Sequence, residues 1–100
     1  MSIYEAEKHY KSKAYLSDLK KAQDERLKII ECLRANVSEE DKEIFRQNIK
    51  VTPLWAIDSH LEYGMHIRNL LRKNGFNYDA FVMDDNWITW TFEAFFTKTS

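Results

Sequence analysis

Apolar residues recur at helical spacing through the first third of the chain, which contains no proline or glycine. The stripe on one helix face consists of Tyr15, Leu19, Ala22, Ile29 and Leu33, with Arg26 at one position, and it is widened by Leu16, Leu27 and Ile30. Ser2 and Glu5 form a capping box. We therefore predict one helix from residue 2 to Asn36, about 50 Å long at about 1.5 Å per residue. Such a rod either breaks near Ser12 or Ser17, or projects its polar N-terminal third toward a partner.

Two more helices are predicted from their N-terminal residues. Ser38 can cap a short helix with an acidic first turn, which should bury Ile44, Phe45 and Ile49. Thr52 followed by Pro53 begins the third helix, because proline at the first helical position gives up no hydrogen bond. Its inner face is predicted to contain Leu54, Ile57, Leu61, Gly64, Ile67 or Arg68, and Leu71. Asn74-Gly75 is the expected left-handed end of that helix.

The C-terminal segment, residues 76–96, has two interpretations. Apolar residues alternate on both sides of Asp84-Asp85-Asn86, which is typical of a β-hairpin. In the helical interpretation Asp84 caps a last helix that buries Ile88, Phe92, Phe95 and Phe96. The pattern thus predicts a mainly α, small four-helix domain with a long N-terminal helix, or an α+β domain with a C-terminal hairpin.

Size and composition predict a single domain. The chain has 100 residues, of which 44% are hydrophobic and 31% charged, as in soluble globular proteins. We expect residues 1–37 to form the long helix and residues 38–100 a compact helical core. All three tryptophans lie after residue 50, so this second part should contain the centre of the core.

Charge and apolar patterning exclude some classes of partner. The chain has 15 Lys and Arg against 16 acids, so binding to nucleic acid is not predicted. No apolar run approaches the about 18 residues that a membrane span needs. The N-terminal residues are charged and do not resemble a signal peptide. With Cys32 as the one cysteine, no internal disulfide can form, and we expect a cytoplasmic protein.

Three short stretches, SEEDKE at 38–43, GMHIRN at 64–69 and MDD at 83–85, resemble an uncharacterised bacterial family of small domains of unknown function. That family has an H-x-x-x-GM-x-IRN helix, then a PDDMS-like loop and a final helix. His60 matches its histidine, whereas Met83 replaces its proline and Asn86-Trp87 its Met-Ser. The resemblance covers residues 38–96, implies a helical C-terminal region and implies no known reaction. It also implies a unit of Gly64, Arg68, Asn69, Asp84 and Asp85.

Arg68 falls on the face that its helix should bury. A buried guanidinium needs a carboxylate partner, and Asp84 and Asp85 are the candidates. We predict a structural clamp between the third and fourth helices, with Gly64 allowing the backbones to approach. The alternative is that Arg68 and Asn69 hold a phosphate or carboxylate ligand.

No catalytic residue, metal site or cofactor is predicted. His60 and His66 project about 240° apart on a helix, so they cannot ligate one metal together. Glu62 and His66 share a face with Asp58, but their spacing matches no metal motif. Cys32 is expected to be a small core residue. The alternative is a small-ligand or metal-dependent activity at a cleft of His60, His66, Arg68, Asp84 and Asp85.

The aromatic C-terminal segment predicts a protein partner. On a helix Trp87 and Trp90 share one face, and a minimal core cannot cover that face and the opposite one together, so either the uncovered face binds a partner or the N-terminal helix covers it. We therefore predict a non-enzymatic protein-binding module, a small regulator or inhibitor of the kind that phages and mobile elements carry. Its partner would be another protein or a second copy of the chain as a homodimer. The expected partner-binding residues are Tyr10, Tyr15, Trp87 and Trp90.

Overall fold

The computed structural model describes residues 12–52, 54–55 and 60–96, and only the backbone of His60 and Leu61. These residues form five α-helices, one π-helical turn and no strand. The elements are α1 (Lys13–Asp24), α2 (Arg26–Asn36), α3 (Glu39–Val51), the π-turn (His60–Gly64), α4 (Met65–Lys73) and α5 (Ala80–Phe96). The mainly α fold class is confirmed, and the alternative with a C-terminal hairpin is wrong.

The predicted N-terminal helix is divided in the part of it that the structure describes. Ser12 caps α1, because its Oγ accepts from the backbone N–H of Tyr15 at 3.2 Å. A second division, which the sequence did not predict, lies at Glu25 with φ −98° and ψ 9°. The Glu25 carboxylate accepts from the Tyr78 hydroxyl at 2.8 Å, which ties the bend to the loop before α5. The capping box of Ser2 and Glu5 lies outside the described residues.

The bend lets both N-terminal helices pack against α5. Tyr15 and Ala22 of α1 are buried, as are Ile29, Ile30 and Leu33 of α2, and Leu19 is partly buried. Arg26, at the polar position of the stripe, pairs with Glu93 of α5. Leu16 and Leu27 are mostly exposed, so the prediction that they widen the buried face is wrong. Both side chains project away from the neighbouring helices that α1 and α2 contact.

Helix α3 begins as predicted, with Ser38 Oγ accepting from the backbone N–H of Asp41 at 3.1 Å. Phe45 is completely buried and Ile49 partly buried. Ile44 is 40% exposed, so its predicted burial is wrong. It lies one position before Phe45 and therefore projects about 100° away from the buried face.

Helix α4 ends at Asn74-Gly75, as predicted. Gly75 has φ 94°, and the backbone N–H groups of Gly75 and Phe76 donate to the carbonyls of Arg72 and Leu71. This is the paired hydrogen-bonding pattern of a left-handed helix end. Ile67, Arg68 and Leu71 are buried as their spacing predicted, whereas Leu54 is exposed.

Helix α5 begins at Ala80 and not at Asp84. The Asp79 carboxylate accepts from the backbone N–H of Phe81 at 2.9 Å, and the Asp79 backbone carbonyl accepts from Met83. The predicted cap at Asp84 is therefore wrong, because the helix is already formed one turn earlier. No helix within the described ranges combines the length and apolar character that crossing a membrane requires.

Every other described helix and the π-turn contact α5, which is the central helix of the part of the domain that the structure describes. Its buried side chains are Val82, Met83, Trp87, Trp90, Thr91, Ala94 and Phe95. Phe92 is about half exposed, and Ile88 and Phe96 are partly buried. Of the four residues predicted to be buried, Phe95 is buried and Ile88 and Phe96 are partly buried, so the prediction is wrong only for Phe92. The neighbouring helices also cover the tryptophan face.

Candidate functional site

Arg68 and Asp84 connect α4 to α5. Arg68 Nε lies 3.3 Å from Asp84 Oδ1, with the arginine side chain 9% exposed and the carboxylate side chain 42% exposed. The guanidinium is therefore enclosed by the domain, whereas its counter-charge keeps contact with water. This geometry holds two helices together, and it matches the clamp that the sequence predicted between these two residues.

Gly64 lies where the π-turn meets α4, close to α5. A Cβ atom at this position would come within 2.8 Å of Trp87 Cε2 and 3.0 Å of Arg68 Nη1. Since real Cβ atoms almost never approach so closely, the absence of a side chain allows Trp87 to fill this space. Gly64, Arg68 and Asp84 are thus brought together around the Trp87 indole.

The other two members of the predicted unit lie elsewhere. Asn69 is exposed and its Oδ1 accepts from Arg72 Nη1 at 3.2 Å, within α4. Asp85 accepts from the Tyr15 hydroxyl at 3.1 Å and so connects α5 to α1. The structure therefore does not bring all five residues into one cluster, because Asn69 and Asp85 project from their helices in other directions than Arg68 and Asp84.

His66 is separated from the Arg68 cluster. It lies two positions before Arg68 and projects about 200° away from it. His66 Nε2 lies 3.6 Å from Asp41 Oδ2 of α3, and the imidazole is 52% exposed. The alternative cleft that combined His66 with Arg68, Asp84 and Asp85 is therefore not formed, and the side chain of His60 lies outside the described residues. Among the residues with described side chains, no group of three or more His, Cys, Asp or Glu could hold a metal ion.

Trp87 and Trp90, which the sequence predicted as an exposed partner-binding face, belong to the core. They are 0% and 4% exposed. Tyr63 contacts Trp87 and Tyr78 contacts Trp90, at ring-centroid distances of 6.3 and 6.1 Å. The prediction that these two tryptophans form an exposed partner-binding face is therefore wrong. Tyr15 is also buried, and Tyr10 lies outside the described part of the chain.

Cys32 of α2 is partly buried, in line with a packing role. Burial raises the pKa of its thiol above the ordinary value, and a hydrogen bond from Asn36 to the sulfur opposes that shift. A raised pKa lowers the fraction of thiolate, which is the nucleophilic form, at neutral pH. Nothing around this thiol activates it among the described residues.

Three arginine and lysine side chains gather at the C-terminal end of α5. Arg34 Nε and Arg46 Nε donate to the backbone carbonyls of Ala94 and Phe95, each at 2.9 Å. Lys42 is almost fully buried, and its Nζ donates to the carbonyl of Arg34 at 2.7 Å. These cations satisfy carbonyl groups at the ends of α5 and α2, where the helix dipole favours positive charge. The same three side chains line a cavity of about 530 Å³, and there they hold helix ends in place.

Two other cavities have His66 in common among their lining residues, and we call the surface that they occupy along α3 and α4 the α3–α4 groove. The first, of about 400 Å³, is lined by Asn36, His66, Asn69, Leu70, Lys73 and Asn74. The second, of about 450 Å³, is lined by Asp41, Ile44, Trp55, Glu62, Tyr63 and His66. Sequence reasoning placed Glu62 and His66 on a common outer face but missed Ile44, Trp55 and Tyr63 as their neighbours. No local signal in the sequence marks this surface, because its lining residues come from several elements that are distant in sequence.

Comparisons with protein-family models, with curated proteins and with solved structures give no match to this chain. The resemblance to the uncharacterised bacterial family therefore stays a prediction based on the quoted motifs.

Proposed function

We propose that this chain is a non-enzymatic protein-binding module, a small regulator or inhibitor that holds a segment of a partner protein in the α3–α4 groove. The observation that carries the proposal is the pair of cavities that open to solvent along α4 and share His66 as a lining residue. Cavities of about 300 Å³ or more are large enough to accept several side chains or a short piece of backbone.

The lining of the groove combines the two kinds of group that bind a peptide segment. Ile44 and Trp55 offer apolar contact in one cavity, and Leu70 does so in the other. Asn36 and Asn74 each donate through Nδ2 to a carbonyl of their own helix, at 2.9 and 2.8 Å. The amide oxygen of each side chain can then accept a hydrogen bond from the backbone of a bound segment.

The charged side chains that could have formed a catalytic site bond to other residues of the domain, which supports a binding role over a catalytic one. Arg68 and Asp84 pair across two helices, and Asp85 accepts from Tyr15. The raised pKa of the Cys32 thiol disfavours nucleophilic chemistry. The same geometry supports no clear small-ligand site, because His66 and Arg68 lie on different sides of α4.

Affinity capture from the native cell, carried out with matched variants, tests the proposal. Asn69 is exposed in the groove, so Asn69→Trp should fill the first cavity and leave the fold intact. Gln23→Trp puts the same side chain on the exposed surface of α1 and is the control. We expect wild type and Gln23→Trp to retain a common partner that Asn69→Trp loses, with equal thermal unfolding of all three.

Retention of the partner by Asn69→Trp, or its loss from both variants, would contradict the proposed use of the groove. Sedimentation of the purified chain at several concentrations measures its oligomeric state and so tests whether the partner is a second copy of the chain. In that case Asn69→Trp should shift the chain toward monomer, and Gln23→Trp should not.

A further inference from the structure

The cavity between α3 and the π-turn has an aromatic wall that is held in place by the core. The Trp55 ring meets Phe45 and Tyr63 edge to face, at centroid distances of 5.7 and 5.3 Å. The Tyr63 hydroxyl donates to the backbone carbonyl of Asp41 at 2.6 Å, so that ring is fixed from both sides. Burial and the nearby Asp41 carboxylate raise the pKa of Tyr63, so the hydroxyl stays neutral. The wall is therefore a preorganised, uncharged aromatic surface.

The rim of the same cavity is acidic. Asp41 and Glu62 both line it, and neither Lys nor Arg is found among its described lining residues. Lys42 follows Asp41 in sequence, but its Nζ is engaged by the Arg34 carbonyl and by Glu39 on the α2 side of α3. His66 approaches Asp41 at 3.6 Å and leaves Glu62 without a basic neighbour from the lining. Besides these two carboxylates and His66, the described lining of the opening is aromatic and aliphatic.

An aromatic wall beside carboxylates is the arrangement that recognises an organic cation. A guanidinium or ammonium group gains about 0.5 to 2 kcal/mol from an aromatic face, and a nearby carboxylate adds a charge-assisted hydrogen bond. The aliphatic stem of arginine or lysine also needs an apolar contact, which the half-exposed Ile44 side chain offers.

We infer that the cavity formed by Asp41, Ile44, Trp55, Glu62, Tyr63 and His66 binds an arginine or lysine side chain of the partner protein. The inference rests on the proposed function and names the side chain that the groove selects. The aliphatic stem lies against Ile44 and Trp55, and the charged end lies between Asp41 and Glu62. The adjoining cavity, with Asn36 and Asn74, then receives the backbone next to that side chain.

A titration monitored by NMR tests the inference with a probe of known structure. The probe is N-acetyl-arginine-N′-methylamide, and the control is the citrulline analogue, which has nearly the same shape but no charge. We expect the arginine probe to shift the Trp55 indole N–H and the amides of Asp41 and Glu62 in a saturable way. The citrulline probe should bind about tenfold more weakly, since it forms neither of two exposed ion pairs that are worth up to about 1 kcal/mol each.

Charge-neutral variants make the test specific for the cavity. Asp41→Asn and Glu62→Gln should each weaken binding of the arginine probe about threefold to fivefold. Glu40→Gln, an exposed residue in the same helical turn that does not line the cavity, should leave it unchanged. The inference is overturned by equal binding of the two probes, by shifts located away from Trp55, or by equal effects of Glu40→Gln and Glu62→Gln.

The two tests fail in different ways. If the arginine probe does not bind but Asn69→Trp still loses the captured partner, the groove binds protein through another kind of side chain. If the probe binds with the expected selectivity but Asn69→Trp keeps its partner, the cation site stands and the proposed use of the whole groove falls.

Discussion

Arg68 of α4 and Asp84 of α5 form an ion pair, with 3.3 Å between Nε and Oδ1, in which only the carboxylate reaches water. Its strength should lie between that of an exposed pair, about 0 to 1 kcal/mol, and the about 3 to 5 kcal/mol lost when a fully buried pair is broken. We expect Arg68→Ala to lower the free energy of unfolding by about 2 kcal/mol. Urea denaturation measures this change.

The matched control for this prediction is Arg72→Ala. Arg72 lies one turn further along α4 and donates to Asn69, an exposed residue. Its loss should cost less than about 0.5 kcal/mol, as for most surface substitutions. Equal effects of the two arginine variants would show that the Arg68 pair does not brace the helices.

Gly64 should resist replacement by alanine although alanine is the better helix former. Inside a helix, alanine is favoured over glycine by about 1 kcal/mol. Here the added Cβ would lie 2.8 Å from Trp87 Cε2 and 2.9 Å from Trp87 Cζ2. Overpacking of this kind costs about 1 to 3 kcal/mol, so we expect Gly64→Ala to be destabilising by thermal or urea unfolding.

The double variant Gly64→Ala with Trp87→Phe identifies the cause of that loss. Phenylalanine lacks the larger ring system that the Cβ would meet, so the double variant should be more stable than the sum of the two single changes predicts. Simple additivity would instead mean that the cost comes from the backbone. A stabilising Gly64→Ala would refute the close contact.

Stability should fall at alkaline pH because of Tyr78. Burial first, and then the hydrogen bond to Glu25, raise the pKa of Tyr78 above its ordinary value of 10.0. Below pH 10 the hydroxyl is protonated in both states, and its contribution is fully present. As the pH rises above 10, the unfolded chain loses the proton first, so the free energy of unfolding declines until the folded pKa is passed.

Urea denaturation between pH 8 and 11 measures that slope in wild type, Tyr78→Phe and Tyr63→Phe. Each variant lacks one hydroxyl with a raised pKa and should show a smaller alkaline decline. At pH 8 Tyr78→Phe should already be less stable by about 1 kcal/mol, the value of one hydrogen bond. An unchanged slope in both variants would contradict the assignment.

The stability of the C-terminal end of α5 should depend on two arginine side chains. Arg34 and Arg46 donate to the carbonyls of Ala94 and Phe95, each at 2.9 Å. We expect Arg34→Met and Arg46→Met each to cost about 1 kcal/mol, since methionine keeps the aliphatic bulk but donates no hydrogen bond. Hydrogen exchange should accelerate in the last turn of α5. Arg72→Met, far from this end, is the control.

Local sequence signals predicted the ends of several helices. The sequence predicts Ser38 as a cap because a hydroxyl can satisfy backbone N–H groups a few residues ahead, and Gly75 as the end of α4 because glycine accepts a positive φ. Ser12, which also caps a helix, was predicted only as one of two positions where the N-terminal helix could break. The Arg68 and Asp84 pair was also predictable, since a guanidinium on a buried face requires a carboxylate. Each of these features is decided by residues that are close together in the sequence or by a single pair of side chains.

The α3–α4 groove could not be predicted in the same way. Its lining comes from α2, α3, α4, the π-turn and Trp55, which are distant in sequence and adjacent only in the folded domain. Ile44 was expected in the core because apolar residues usually are buried, yet Phe45 takes the buried position and Ile44 lines the groove.

The sequence by itself thus determined the helical character of the chain before residue 76, the cap of α3 and the glycine end of α4, because these are decided by local hydrogen bonding and side-chain spacing. The pattern of residues 76–96 fits a helix and a hairpin alike, and the tertiary structure decided for the helix. Only the tertiary structure decided where the N-terminal helix bends and which face of α5 is buried. Trp87 and Trp90 are internal because α5 has neighbours on several sides. The number of neighbours around a helix is a property of the assembled domain, and periodicity along one helix cannot reveal it.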